Sequence, residues 1–267
     1  MLENLKAYHK PQKIEDAISL INDEVEKNII IGGGSFLAFS NDISIDGLVD
    51  ISKLNFDKID INKNENKISI GSKVSLRRLQ KSKELSKYFN NIIGYSASKY
   101  LSALHRNQTT VGGILNTGFA NTEFVATLIG LDANIIYQTK NGEESINIKE
   151  LYKNNPQNIF RYAIIKKIEI NIDNKETGLL RIARTENDLP IISVVYIKDM
   201  KGNKNIVFTS IANLPIYYEF DSSKSDAEII EEIKTKIKPQ TDIRGSEDYR
   251  KEMSVVLTKR LLKGETL

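Results

Sequence analysis

The residues of this chain best suited to hold a ligand are glycines set between hydroxyl and amide side chains, and they occur twice. Ile31-Gly32-Gly33-Gly34-Ser35 closes a short apolar run. Much later, Arg106-Asn107 leads into Thr109-Thr110-Val111-Gly112-Gly113, followed by Asn116-Thr117-Gly118 and the acid Glu123. Adjacent glycines accept positive φ and let the backbone come close to a ligand. Successive N–H groups in such a turn form an anion-binding concavity. The chemistry this suits is contact with phosphate, and two such elements suit one long ligand held between them. Alone, the GGGS loop reads equally well as a tight turn. Counted from Gly32, the dinucleotide fingerprint G-x-G-x-x-G/A fails at Leu37, and no acid closes a second strand at the right distance. No G-x-x-x-x-G-K-[ST] segment occurs, which excludes a P-loop.

Composition narrows the chemistry further. The 267 residues can bury a substantial core as one large or two modest domains. The 38 basic and 35 acidic residues nearly balance, and the lysines are scattered, so nucleic-acid binding is not expected. No apolar run is long enough to cross a membrane, and the first residues are too polar for a secretory signal. A cytoplasmic, membrane-free protein is expected. With no cysteine, the chain can form no disulfide, supply no thiolate nucleophile and hold no iron–sulfur cluster through cysteine. His9 and His105 are the only histidines, so no metal site is expected. Redox or transfer chemistry would then belong to an organic cofactor.

The elements that must position the glycines follow from periodicity. Residues 13–27 place Ile14, Ala17, Ile18, Ile21 and Val25 on one helical face. Residues 29–31 and 47–51 read as short strands. Residues 57–61 and 67–70 flank the turn-rich NKNEN as a hairpin. Helices are expected over 76–85 and 92–104, and 127–137 turns from helix into strand. Asn141-Gly142 joins strands 135–138 and 145–148, and 164–172 is a half-exposed strand. Polar residues 173–177, bounded by Gly178, mark a soft boundary. Strands 191–198 and 205–212 and helices 227–237 and 249–263 complete the chain, the last with Met253, Val256, Leu257 and Leu261 on its apolar face. The mixture of hairpins and helices argues for an α+β fold.

Taken together, the glycine elements resemble the flavin-binding domain of the FAD subunits of molybdenum hydroxylases, the xanthine dehydrogenase and carbon monoxide dehydrogenase group. Ile31 to Ser35 is similar to that family's A-G-G-T-D-like loop. Arg106-Asn107, Thr110-Val111-Gly112-Gly113 and Glu123 stand at the positions of its R-N-x-x-T-[IV]-G-G-N loop and the acid that follows. Ala183-Arg184-Thr185-Glu186-Asn187-Asp188 is similar to its Arg/Asp segment. Asp242-Ile243-Arg244-Gly245-Ser246 with Tyr249-Arg250 is similar to its D-x-R-x-S-x-x-Y-R signature. The resemblance covers nearly the whole chain. Departures are Ile114 in place of Asn, Phe119-Ala120-Asn121 in place of small residues or Pro, Glu123 in place of Asp, and Leu180-Arg181 in place of a Lys.

The resemblance implies a two-lobed PCMH-type FAD-binding domain over residues 1–172, with lobes of about 1–55 and 56–172. A smaller C-terminal α/β domain of sheet plus helices would occupy 173–267. It implies FAD as cofactor, its diphosphate on the two glycine elements. Cofactor contacts would come from Ile31, Gly32, Gly33, Gly34, Ser35, Phe36, Tyr100, Asn107, Thr110, Gly112, Gly113, Asn116, Thr117, Glu123, Ile165 and Arg181. No side chain is expected to be catalytic, since the flavin carries the chemistry. The implied partners are a molybdenum-cofactor subunit and a [2Fe–2S] subunit, with electrons leaving the flavin to an acceptor such as NAD. Tyr100 fits a place beside the flavin or in the core, His105 a structural hydrogen bond, and Arg244, Tyr249 and Arg250 the fixing of the C-terminal helix or a subunit contact. Two other readings stand beside this one. A reductase similar to UDP-N-acetylenolpyruvoylglucosamine reductase shares the first loop but gives residues 242–250 no role. A scaffold subunit that has lost FAD is motivated by Ile114 and Phe119.

Overall fold

A computed structural model describes residues 5–37, 42–117, 121–153 and 159–266, so Gly118, Phe119 and Ala120 lie outside the described residues. The chain folds as two compact units. The first comprises Met1–Arg78, Ala103–Phe119 and Ala133–Asn171, the second Leu79–Ser102, Ala120–Asp132 and Ile172–Leu267.

In the first unit, β1 (Ala7–His9), β2 (Asn28–Ile31) and β3 (Gly47–Asp50) form a parallel sheet in the order β1-β3-β2. Helix α1 (Ile14–Ile21) buries Ala17, Ile18 and Ile21 in a cluster with Val49, Ile51, Leu54 and Ile164. The helix stops six residues short of its expected end, and Val25 is 91 % exposed. The cause is Asp23, whose Oδ1 accepts from the amides of Val25 and Glu26 at 2.8 and 2.9 Å. A short acid that bonds the backbone two residues on offers the chain a turn in place of another helical bond. Ile31 stands opposite Asp50 in the register, so the first glycine loop leaves the carboxyl end of a parallel strand. That edge is where open α/β sheets present ligand sites.

The second sheet of this unit is antiparallel, in the order β4-β5-β8-β6-β7: β4 (Ile59–Asn62), β5 (Lys67–Gly71), β6 (Asn134–Thr139), β7 (Gly142–Asn147) and β8 (Ile164–Asn171). Both expected hairpins form. Between β5 and β6 the helices are shorter than periodicity suggests. α2 (Leu76–Lys81) ends where Ser82 Oγ accepts from the Leu85 amide. The segment expected as one helix over 92–104 is α3 (Ile92–Ser98) and α4 (Ala103–Gln108), separated at Leu101, whose φ is 42°. A left-handed residue cannot continue a right-handed helix. Two further short helices, α5 (Val111–Asn116) and α7 (Ile148–Lys153), belong to the first unit, with α6 (Glu123–Gly130) between them in sequence but in the second.

The second unit is built on an antiparallel sheet in the order β12-β11-β10-β9: β9 (Glu176–Ile182), β10 (Ile192–Lys198), β11 (Lys204–Thr209) and β12 (Ile216–Phe220). The outer strands β9 and β12 are not expected from the sequence. Gly178 reads as punctuation, yet it lies within β9 where a Cβ would come 2.7 Å from Leu261 Cδ2. Side chains alternate across a strand. On β10, Ile192, Val194 and Tyr196 join the cluster formed with α8 (Asp226–Lys236) and α9 (Glu247–Leu262). The alternate face, through Val195 and Ile197, meets Gly130 at the end of α6. A strand covered on both faces explains why the apolar run over 191–197 scarcely alternates.

Arg250 is 1 % exposed on α9. Its guanidinium donates to the carbonyls of Ile191 and Gln240 and to Asp242 Oδ1, while Arg244 also binds Asp242. The turn at 240–246 is thereby locked onto the start of β10. Burial pushes the Asp242 carboxyl up, but hydrogen bonds from Arg244 and Arg250 outweigh it and hold the group well below the usual carboxylate range. A depressed carboxylate stabilises the fold above its unfolded pKa of about 4, and that contribution is lost as pH falls through the folded value. Arg250→Met strands two buried carbonyls and should cost about 2–4 kcal/mol at neutral pH. Urea titrations at pH 7 and at about pH 2 should show a smaller acid loss for Arg250→Met than for wild type; unchanged midpoints would contradict the lock.

Candidate cofactor site

The second glycine element is assembled on the segment that follows β5. Leu76 N donates to Thr109 O and Val111 N to Val74 O, each at 2.9 Å, and Ser75 and Thr110 form an isolated bridge. Thr110 then caps α5, its Oγ1 accepting from Gly113 N at 3.1 Å. The glycine pair therefore lies in the first turn of a short helix, and neither residue has positive φ. Close packing is the reason for Gly112: a Cβ there would lie 2.8 Å from Ser72 Cβ. Gly112 N donates to Ser72 O at 2.7 Å. The amides of Val111, Gly112 and Gly113 are thus satisfied within the protein, in contrast to the open nest that the sequence suggests. Ile114, the departure from the family's Asn, is buried in the core. Asn116 ends α5, Thr117 caps it, and Ile165 lies in β8, against which α5 rests.

The first loop meets this element directly. A Cβ on Gly33 would fall 1.5 Å from Gln108 O, and one on Gly32 would fall 3.1 Å from Thr110 Oγ1. Only a residue without a side chain permits the Gly33 approach. Thr109 Oγ1 lies 3.1 Å from Ser35 Oγ, a hydroxyl pair that joins the two loops. Gly34 has a φ of +74°. Among the described residues, no acceptor takes the amides of Gly33 and Gly34. Phe36 is exposed beyond Ser35, and Asn107 is exposed on α4. The donors of this platform are backbone N–H groups and hydroxyls, and neither loop contains an acid. That donor set, beside a cradle that a Cβ would fill, fits an anionic diphosphate.

The remaining expected site residues, Tyr100, Glu123 and Arg181, belong to the second unit. Glu123 opens α6 and is 2 % exposed. Its Oε1 accepts from Arg181 Nε at 2.9 Å and from Ser193 Oγ at 3.0 Å. The β9–β10 register sets Arg181 opposite Ser193, so both donors stand on the sheet face that turns toward α6. Arg181 also donates to the carbonyls of Glu186 and Asp188, at 3.0 and 2.7 Å. Tyr100 is partly buried after α3. Sequence reasoning missed Thr109 and Ser193. The available signals were a second hydroxyl beside Thr110 and a lone polar residue inside the apolar run over 191–197.

Burial pushes the Glu123 carboxyl up, and Arg181 and Ser193 recover part of that shift. A raised carboxyl stabilises the fold fully below its unfolded pKa of about 4.3, and the contribution disappears as pH rises through the folded value. Wild-type melting temperature should therefore fall more steeply than that of Glu123→Gln between about pH 5 and pH 8. Parallel melting profiles would contradict this account.

Residues 3–170 match the family model described as the FAD binding domain in molybdopterin dehydrogenase. A glyceraldehyde dehydrogenase medium chain of Sulfolobus acidocaldarius is 21 % identical over 274 residues, covering 96 % of this chain and 97 % of its own. Subunit alpha of the 6-hydroxypseudooxynicotine dehydrogenase complex of Paenarthrobacter nicotinovorans is 30 % identical over 147 residues, 54 % of this chain and 49 % of its own. Among solved structures, quinoline 2-oxidoreductase from Pseudomonas putida 86 contains a chain of the same fold, with a TM-score of 0.83 at 18 % identity over 97 % of this chain and 96 % of that one. A chain of carbon monoxide dehydrogenase from Oligotropha carboxidovorans matches with a TM-score of 0.85 at 19 % identity, over 98 % of each. The glycine platform and the family match over most of the chain agree: this chain belongs to the family of FAD-binding domains of molybdopterin dehydrogenases, an oxidoreductase component with FAD as its cofactor.

Proposed function

We propose that this chain is the FAD-binding electron-transfer subunit of a multi-subunit molybdenum hydroxylase, working in the cytoplasm. Its partners in this reading are a molybdenum-cofactor subunit and a [2Fe–2S] subunit. Support comes from the names of the similar proteins, a medium chain and a subunit of a dehydrogenase complex. The lack of cysteine adds to it, because iron–sulfur clusters must then sit on another chain. Electrons would arrive from those clusters and leave to an acceptor such as NAD. Bound FAD supplies the redox chemistry between one-electron and two-electron carriers.

The observation that carries the reading is the approach of Gly33 to Gln108 O. It brings the amides of Gly33 and Gly34 and the Ser35 hydroxyl beside Thr109 and Thr110. In this reading Gly32, Gly33, Gly34 and Ser35 hold the diphosphate, and Thr110, Gly112 and Gly113 back the loop. Ile31, Phe36, Asn107, Asn116, Thr117 and Ile165 line the same unit. Glu123 and Arg181, with Ser193, hold the start of α6 on its sheet. No side chain of this platform is called on to transfer a proton.

Gly33→Ala puts a methyl group where the Gln108 carbonyl stands and forces the loops apart. Its FAD content after purification should fall below about a tenth of the wild-type value, with the circular dichroism spectrum retained. Full FAD content in that variant would defeat the assignment. The subunit reading is tested on the native complex, isolated through a tag on this chain. Metal analysis should find molybdenum and iron together with FAD. A chain that elutes alone, with FAD but without either metal, would contradict it.

A further inference from the structure

We propose that Thr109 is a positioning residue for the cofactor diphosphate: its hydroxyl donates to Ser35 Oγ and so turns the Ser35 hydrogen outward, toward a phosphate oxygen. The proposal rests on the assignment of the Gly32–Ser35 loop to that diphosphate.

Thr109 is placed to be a fixed post. It is 3 % exposed, and its backbone is held at both ends, N donating to His105 O at 2.7 Å and O accepting from Leu76 N at 2.9 Å. Branching at Cβ narrows its side-chain freedom further. Its Oγ1 stands 3.1 Å from Ser35 Oγ, which is carried on the partly exposed first loop. Thr110, one residue on, places its Oγ1 at the Gly113 amide, from which it accepts at 3.1 Å.

The direction of the hydroxyl pair follows from what a phosphate can do. A hydroxyl has one hydrogen to give. A phosphate oxygen beside Ser35 only accepts, so Ser35 must give its hydrogen to the anion and receive one from Thr109. The resulting chain, Thr109 O–H to Ser35 O–H to phosphate, polarises along its length, and each bond strengthens the next. Without Thr109 the Ser35 hydroxyl loses the donor that fixes its direction, and the loop loses a side-chain tie to the second element.

The test is a double-mutant cycle on the full chain, stripped of flavin and titrated with FAD and, separately, with ADP as a diphosphate probe. Thr109→Val keeps the shape and removes the hydroxyl, and should weaken both ligands about five-fold. Thr109→Ser restores the hydroxyl and should bind within about two-fold of wild type. In a Ser35→Ala background, Thr109→Val should have no further effect, because its hydroxyl then has nothing to orient. Thr109→Ala takes the place of the valine variant if that one does not fold. Wild-type affinity in Thr109→Val, with weakened binding in Ser35→Ala, overturns this proposal alone. Equal losses from Thr109→Val in both backgrounds overturn it as well. Wild-type affinity in Ser35→Ala overturns the loop assignment and this proposal with it.

Discussion

Everything proposed for the first unit depends on one steric fact: the backbone at Gly33 lies where any side chain would strike the Gln108 carbonyl. Two segments distant in sequence are brought to van der Waals contact there, and each is fixed by different means. The first loop is the run-off of a parallel strand, placed by the β2–β3 register and by the packing of α1 beneath it. The second is tied by backbone hydrogen bonds to residues 72–76. The contact gives the donors of the first loop a rigid backing. Rigid donors bind an anion better than mobile ones because less freedom is lost on binding.

The second unit solves a different problem, the burial of a carboxylate. Glu123 opens a helix that is buried along its whole length, so its charge has no route to water. An isolated ionised carboxylate in that setting would be prohibitively unstable. The sheet supplies two donors from adjacent strands, Arg181 and Ser193, and Arg181 extends the tie to the loop at 186–188. Asn121 adds a related clamp just before the helix, its amide nitrogen donating to the carbonyls of Ala212 and Asn213 and its oxygen accepting from Ser210 N. Polar groups thus fix where α6 begins, and apolar contacts with Val195 and Ile197 fix where it ends.

Much of this was legible in the order of residues. The glycine elements, the α+β class, both hairpins and the C-terminal helices follow from composition and period, and the order of four motifs pointed to the family. What was not legible was tertiary. Helix ends at Ile21 and Lys81 were set by Asp23 and Ser82 turning the backbone, a competition that apolar periodicity does not register. Strand β9 was hidden because Gly178 reads as a boundary, although its lack of a side chain serves the approach of Leu261. The role of the second glycine pair was read as backbone freedom, and the structure shows close packing against Ser72. Thr109 and Ser193 could not be singled out, since their partners lie on segments that only the fold brings near.

The most direct test of the central claim is the visible absorption spectrum of the purified wild-type chain, followed by acid release and identification of the flavin. The account requires a flavin spectrum and about one FAD per chain, with the released compound FAD and not FMN. A colourless chain that also fails to take up added FAD would contradict it.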